Sequence, residues 1–229
     1  MTINWSQFTL AELRANSIKR FRRGGGSRPD VMLVEIEGEK AVLKDQNGAD
    51  KWFSLIVGPI LTWRECKALK KLDNVACIPV LLHRPDSRSF LMSYHESEQI
   101  TSVNSETVDW PVFFEKLTHA IESVHSKGIA HNDLRNPTNT LITPQGEPIL
   151  VDLVACFCQG QAWNYPNLWL FNKFCLVDQS AITKIKQKLA PHLLNNNDVV
   201  PEQIAGKVGM AAKQLGQWVR RISRKLFTD

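Results

Sequence analysis

An α+β fold is predicted for this 229-residue chain, as one large domain or as two lobes. Three observations predict it. Aliphatic runs of strand length at residues 31–36, 41–44, 78–82 and 89–92 all fall before Ser93. From Asp109 onward the apolar residues recur mainly at helical spacing. Between these two regimes lies a polar stretch, His131-Asn132-Asp133-Leu134-Arg135-Asn136-Pro137-Thr138-Asn139, followed by an isolated acid at Asp152.

Taken in order, Thr9 to Ser17 reads as a short helix with Thr9 as its cap and Leu10 and Leu13 on one face. Ile18-Lys19-Arg20-Phe21 is a brief strand that runs into Arg22-Arg23-Gly24-Gly25-Gly26-Ser27. Three glycines allow close approach of backbone to a ligand, so Gly24, Gly25 and Gly26 are candidates to cradle phosphate oxygens; a flexible turn is the alternative. The strands 31–36 and 41–44 flank the turn Glu37-Gly38-Glu39-Lys40, and Lys44 ends the second with its ammonium directed inward. The next helix opens at Pro59, with Leu61, Ala68, Leu69 and Leu72 on one face and Glu65 in the middle of that stripe. A carboxylate facing a core is costly unless paired, and Lys44 is the expected cation.

Strands 78–82 and 89–92 follow, joined around Arg84-Pro85-Asp86-Ser87. Asp109 caps a helix with Pro111 in its first turn, an apolar stripe of Phe113, Phe114, Leu117, Ala120, Ile121 and Val124, and Gly128 as its stop. It feeds the polar loop directly. Thr140–Thr143 and Ile149–Val151 read as two strands joined by the turn 144–148. Such a hairpin brings Asn139 and Asp152 close together, two oxygen ligands that suit magnesium, which keeps substrate phosphates for the rest of its shell. His131 is expected to hydrogen-bond backbone within the loop.

The stretches Gly-Gly-Gly-Ser, Ala-Val-Leu-Lys44, Trp-Arg-Glu65-Cys-Lys-Ala-Leu-Lys-Lys-Leu, His-x-Asp-Leu-Arg and Leu-Val-Asp152 resemble a small eukaryotic-like kinase of prokaryotic type. RIO kinases and lipopolysaccharide core-sugar kinases (Kdo or heptose) are the nearest in pattern, and the likeness runs from about Ser17 to Leu194. The resemblance implies a two-lobed protein-kinase-like fold, with a small antiparallel-sheet lobe over 1–93 and a reduced, mainly helical lobe over 94–229. It implies ATP- and magnesium-dependent transfer of a γ-phosphate to a hydroxyl on a protein or a lipopolysaccharide sugar. Gly24, Gly25, Gly26, Lys44 and Glu65 would grip the nucleotide, and Ser93-Tyr94-His95-Glu96 would be the hinge, with His95 a solvent-facing linker. Asp133 would take or orient the acceptor proton, Arg135 would meet phosphate, and Asn139 and Asp152 would hold magnesium.

The chain departs from the family pattern in three places. Five residues, Leu134 to Thr138, separate Asp133 from Asn139 where four are usual, so either the loop bulges at Pro137 or Thr138 takes the ligand position. Leu153-Val154 follows Asp152 in place of Phe-Gly, and no Ala-Pro-Glu comes after. A kinase switched by phosphorylation of a long activation segment is therefore not expected. The acceptor expected first is protein Ser/Thr in the RIO manner, then a core sugar. A non-catalytic pseudokinase that binds nucleotide or a partner is the contrasting class.

The aromatic segment 163–174 reads as a core-filling connection, or else as a sticky surface for lipid or protein. Asp178 to Ala190 reads as a helix stopped by Pro191. Leu215, Trp218, Val219, Ile222 and Leu226 share one face of a terminal basic helix, which suggests peripheral contact with an inner-membrane surface. The five cysteines show no Cys-x-x-Cys pair and are expected as reduced thiols. With a net charge of +5, no signal sequence and no apolar run of spanning length, a cytoplasmic protein with no nucleic-acid partner is expected.

Overall fold

The computed structural model describes residues 3–161, 163–195 and 198. The expected basic helix at 215–226 lies outside the described residues. The chain begins with a 3₁₀ turn at Trp5–Gln7 and a short helix α1 (Leu10–Ala15). Thr9 closes α1 with a capping box, its side chain accepting from the Glu12 N–H while Glu12 accepts from the Thr9 N–H. Five strands then build an antiparallel sheet: β1 (Ser17–Arg22), β2 (Asp30–Ile36), β3 (Glu39–Asp45), β4 (Leu81–His83) and β5 (Ser89–Ser93), in the order β1-β2-β3-β5-β4.

Strand alternation decides what each face of this sheet holds. Met32, Val34, Ala41, Leu43 and Leu91 are packed with Trp5 and Leu13 on one face. Val42 and Met92 turn to the other face and join the main core. Lys44 follows Val42 by two residues in β3, so its side chain shares that inner face. Arg14 ties α1 to the end of β3 through Asp45, with Nε and Nη2 at 2.8 and 2.6 Å from Oδ2.

Two helices connect β3 to β4: α2 (Lys51–Ile56), for which the sequence offered no expectation, and α3 (Gly58–Lys71). Only Val57 separates them, and it is itself in right-handed helical conformation. The buried residues Ser54, Gly58, Thr62, Glu65 and Leu69 therefore recur at helical spacing straight through the break. Strand β4 is displaced from the expected 78–82. Pro79 has no N–H to give a ladder, and pairing starts only where the Ser93 N–H donates to the Val80 carbonyl at 2.8 Å.

After the sheet come a short strand β6 (Glu98–Gln99), helix α4 (Trp110–Ser126), strands β7 (Ile129–Ala130), β8 (Thr140–Ile142), β9 (Pro148–Leu150) and β10 (Phe157–Cys158), and helix α5 (Tyr165–Leu189). Asp109 caps α4 by accepting from the Val112 N–H, and Gly128 ends it at φ 67°, a left-handed turn that glycine adopts without a Cβ penalty. Strands β8 and β9 form the expected hairpin, which β6 extends on its free edge. Helix α5 corrects the expectation of a helix from Asp178: it starts thirteen residues earlier and absorbs the aromatic segment. That segment is split. Phe171 is buried and Phe174 packs on Phe157, whereas Trp163, Tyr165 and Trp169 are exposed. All five cysteines are free thiols.

One apolar core runs from the inner face of the sheet through α3 and α4 to α5. Phe113 lies near its centre, 1% exposed and in contact with the rings of Trp110 and Phe114. Phe113→Ala should lower stability by about 3–5 kcal/mol, read as a shifted midpoint of urea unfolding.

Candidate active site

The inner face of the sheet brings Lys44 to α3 and to the end of β9. Its Nζ donates to Glu65 Oε1 and Oε2 at 2.9 and 2.7 Å and to Asp152 Oδ1 at 2.8 Å. Lys44 and Glu65 are 4% and 2% exposed. Burial opposes the charge on Lys44, but the two carboxylates outweigh it and hold its pKa above the usual lysine value. Burial pushes Glu65 up, with Lys44 pulling it back, and a further hydrogen bond comes from the Leu153 backbone. Asp152 is also penalised by burial, yet Lys44 and then Arg22 keep its carboxyl below the ordinary aspartate value. The pairing that the apolar stripe of α3 demanded is thus made, and it is shared with a third group.

Asp152 sits at φ 68°, ψ 65°, the left-handed region that a non-glycine residue enters at a cost of order 1 kcal/mol. This conformation turns the chain from β9 into a 3₁₀ turn at Leu153–Ala155. Helix α3 holds the same segment from outside, with Arg64 Nη2 donating to the Cys156 carbonyl at 2.9 Å.

The polar loop is pinned at both ends. His131 is buried, and its Nε2 lies 3.0 Å from the Val151 carbonyl, so it joins the loop to the residue before Asp152. Leu134 is inserted in the core. A 3₁₀ turn at Pro137–Asn139, capped by the Asn136 side chain, takes up the additional residue of the loop. It leaves Asn139 buried with Nδ2 donating to the Asp133 carbonyl at 3.0 Å and to Asp133 Oδ2 at 2.9 Å. Thr138 bonds Asn136 through its hydroxyl. The Val151 N–H donates to the Asn139 carbonyl at 3.0 Å, which sets Asn139 and Asp152 on adjoining strand ends.

Of these groups Lys44, Asp133 and Asp152 line a cleft of about 230 Å³, together with Arg22, Ser27 and Arg28 among others. A second, more apolar cavity of about 200 Å³ is lined by Phe21, Val31, Val42, Met92, Tyr94 and Val151, with Ser93 and His95 at its rim. His95, expected to face solvent, is half-buried. Its Nε2 lies 3.1 Å from the Ser93 hydroxyl, and partial burial keeps its pKa below the ordinary histidine value.

The glycine triplet and Arg135 are not among the residues lining the polar cleft. The three glycine N–H groups are bonded within the protein: Gly24 to Asp30 Oδ1 at 2.9 Å, Gly25 to the Arg28 carbonyl at 3.2 Å, and Gly26 to Asp50 Oδ1 at 3.0 Å. Arg135 is exposed. The cationic groups at the cleft are instead Arg22 and Arg28 together with Lys44, and neither arginine was anticipated. Among the described residues no group of three or more His, Cys, Asp or Glu side chains could hold a metal ion. Of the two expected magnesium ligands, Asp152 lines the cleft, whereas Asn139 is buried outside its lining with its amide on Asp133; carboxylate and amide oxygens are the donor type that suits magnesium.

Asp178 was also missed, and the loop depends on it. The carboxylate, 0% exposed on α5, accepts from the His131 N–H and the Asn132 N–H, both at 2.7 Å, and lies 2.9 Å from His125 Nε2. The signal was the one that singled out Glu65: an acid on an apolar stripe, here Phe171, Phe174, Ala181, Ile182 and Ile185. The misplaced start of the helix concealed it.

Asp178→Ala would strand two buried N–H donors, so a loss of about 3 kcal/mol is expected in urea unfolding. Lys44→Met should cost about 3–5 kcal/mol at neutral pH, because it leaves two carboxylates unpaired. The sign with pH follows from the raised pKa: this contribution is complete below the unfolded value near 10.5 and is lost as pH rises through the folded value. From neutral pH the gap between wild type and Lys44→Met should stay level to about pH 10.5 and close above it in stability measurements, and it should also narrow in acid as Glu65 and Asp152 take up protons.

No protein-family model matches the chain. Mouse serine/threonine-protein kinase 16 is 46% identical over 37 residues, a stretch that covers 16% of this chain and 12% of the mouse protein. The Rio2 kinase from Chaetomium thermophilum superposes with a TM-score of 0.61 at 16% identity, covering 91% of this chain and 76% of that one. Its ADP/Mg²⁺-phosphoaspartate complex gives a TM-score of 0.60 at 17% identity, covering 90% and 67%. The chain has a two-lobed, α+β protein-kinase-like fold and resembles Rio2 kinase.

Proposed function

We propose that this chain is an ATP- and magnesium-dependent phosphotransferase acting on a hydroxyl, with protein serine or threonine as acceptor in the RIO manner. The observation that carries this reading is Lys44, held by Glu65 and Asp152 at a cleft that Asp133 also lines. The lobes would divide after Ser93, where the five-stranded sheet ends. Adenine suits the apolar cavity between Val42 and Val151, with the 93–95 segment as its hinge. Lys44, Arg22 and Arg28 supply cationic donors for the phosphates, a role in which side chains stand in for the occupied glycine amides. Magnesium, when bound, would neutralise phosphate charge, and Asp152 and Asn139 are the residues that would hold it. Asp133 would accept the proton of the acceptor hydroxyl, its carboxylate oriented by the Asn139 amide. The Rio2 complex with ADP and Mg²⁺ supports nucleotide and metal use by this fold.

The occupied glycine amides also favour a second reading, a pseudokinase that binds nucleotide without turnover. A core-sugar acceptor remains as an arm of the experiment. The purified chain is incubated with ATP labelled at the γ-phosphate, with magnesium or with a chelator, beside cell protein and beside glycolipid. Magnesium-dependent label on protein is expected, and Asp133→Ala should lower it about 10²–10⁴-fold while nucleotide binding persists. Label on glycolipid alone would reassign the acceptor. Absence of any turnover, or an Asp133→Ala variant as active as wild type, would overturn the enzyme reading.

A further inference from the structure

We infer that the outer face of the α2–α3 helical pair is a docking surface for an anionic lipid bilayer, independently of the proposed catalytic activity. Helical phase is kept through Val57, so the residues opposite the buried stripe form one continuous ridge. Its apolar members are Trp52, Leu55, Ile56, Ile60 and Trp63, all exposed, with the two tryptophans 65% and 53% exposed. An isolated exposed leucine needs no explanation, but five large apolar side chains on one ridge do.

Charge chooses the occupant. Between Lys51 and Lys71 the cations are Lys51, Arg64, Lys67, Lys70 and Lys71, all exposed, of which Arg64 and Lys71 also donate to the Cys156 and Gly128 carbonyls. The single acid in that span is Glu65, buried on the opposite face and paired with Lys44. Lys67 continues the ridge and lies with its Nζ 5.1 Å from the centre of the Trp63 ring. Neither tryptophan lines the two cavities of the candidate site. A row of exposed tryptophan and aliphatic side chains, with lysines on the same helices and no exposed carboxylate between Lys51 and Lys71, matches the boundary between acyl chains and acidic headgroups. The exposed Trp169, with Lys173 Nζ 5.8 Å from its ring centre at the start of α5, repeats the pairing in a second place.

The test is flotation of the full chain with phosphatidylcholine vesicles, with and without phosphatidylglycerol. Binding to the phosphatidylglycerol vesicles is expected, weakened by added salt, and reduced at least about tenfold in the double variant Trp52→Ser, Trp63→Ser. Thermal unfolding of that variant should match wild type, since both side chains are exposed. Lys67→Glu with Lys70→Glu should lower binding while leaving the apolar ridge in place. The inference fails if wild type does not float, if it binds neutral and anionic vesicles equally, or if the tryptophan variant binds like wild type, which would move the contact to another surface such as the basic C-terminal stretch. It also fails if sedimentation shows a wild-type dimer that the same variant disperses, because a second copy would then cover the ridge.

Discussion

A single ammonium shared by two carboxylates fixes the relation between the sheet and everything after it. Lys44 stands on β3, Glu65 on α3 and Asp152 at the end of β9, so three elements distant in sequence meet at one Nζ. None of the three could be buried alone at tolerable cost. Asp152 would not hold its left-handed backbone without surrounding support, and Glu65 would be a bare charge in the core. The trio also explains the attachment of α3, which meets the segment after Asp152 again through the Leu153 backbone and through Arg64 at Cys156. Electrostatics here supplies position, and the apolar packing around it supplies most of the stability.

The second anchor works by the same logic from the opposite side. Asp178, on α5, grips the backbone at His131 and Asn132, and His131 in turn grips the backbone at Val151. The polar loop and the strand that ends in Asp152 are therefore set relative to each other by a chain of hydrogen bonds that starts on a helix in the main core. Within that loop the buried Asn139 amide donates to Asp133, and Asp133 lines the cleft. Rigid support behind a reactive loop is what positions its side chains without a large structural change when ligand arrives.

Much of this was legible in the sequence because it rested on periodicity. Glu65 on an apolar helical stripe and Lys44 at alternate spacing from Val42 are statements about 3.6 and 2 residues per repeat, and neither needs a tertiary contact to be made. Asp178 obeyed the same rule and was hidden only because the aromatic start of α5 lacks a clean amphipathic pattern. Trp163, Tyr165 and Trp169 are exposed where a core-facing stripe would have buried them. The partners of the glycine amides were not legible. Asp30 and Asp50 are ordinary acids in sequence, and their bonds to Gly24 and Gly26 come from folding the β1–β2 connection against the segment before α2. Arg22 and Arg28 flank the triplet, but a basic residue beside glycines does not disclose which way it turns.

That last point bears on how a site of this kind can bind phosphate. Backbone amides donate from fixed positions, whereas arginines donate from the ends of long side chains and carry full charge. A loop that has committed its Gly24, Gly25 and Gly26 amides to Asp30, Arg28 and Asp50 is a folded structural unit, and Gly24 lies so near Gly48 that a Cβ would fall 2.4 Å from its carbonyl oxygen. Gly24 then serves close packing of one backbone on another, Gly25 and Gly26 serve a turn at positive φ, and on the proposed function the guanidinium groups beside them would meet the anion. On the proposed function charge recognition would move from the loop's backbone to its side chains, and the sequence signal from glycine count to the placement of two arginines.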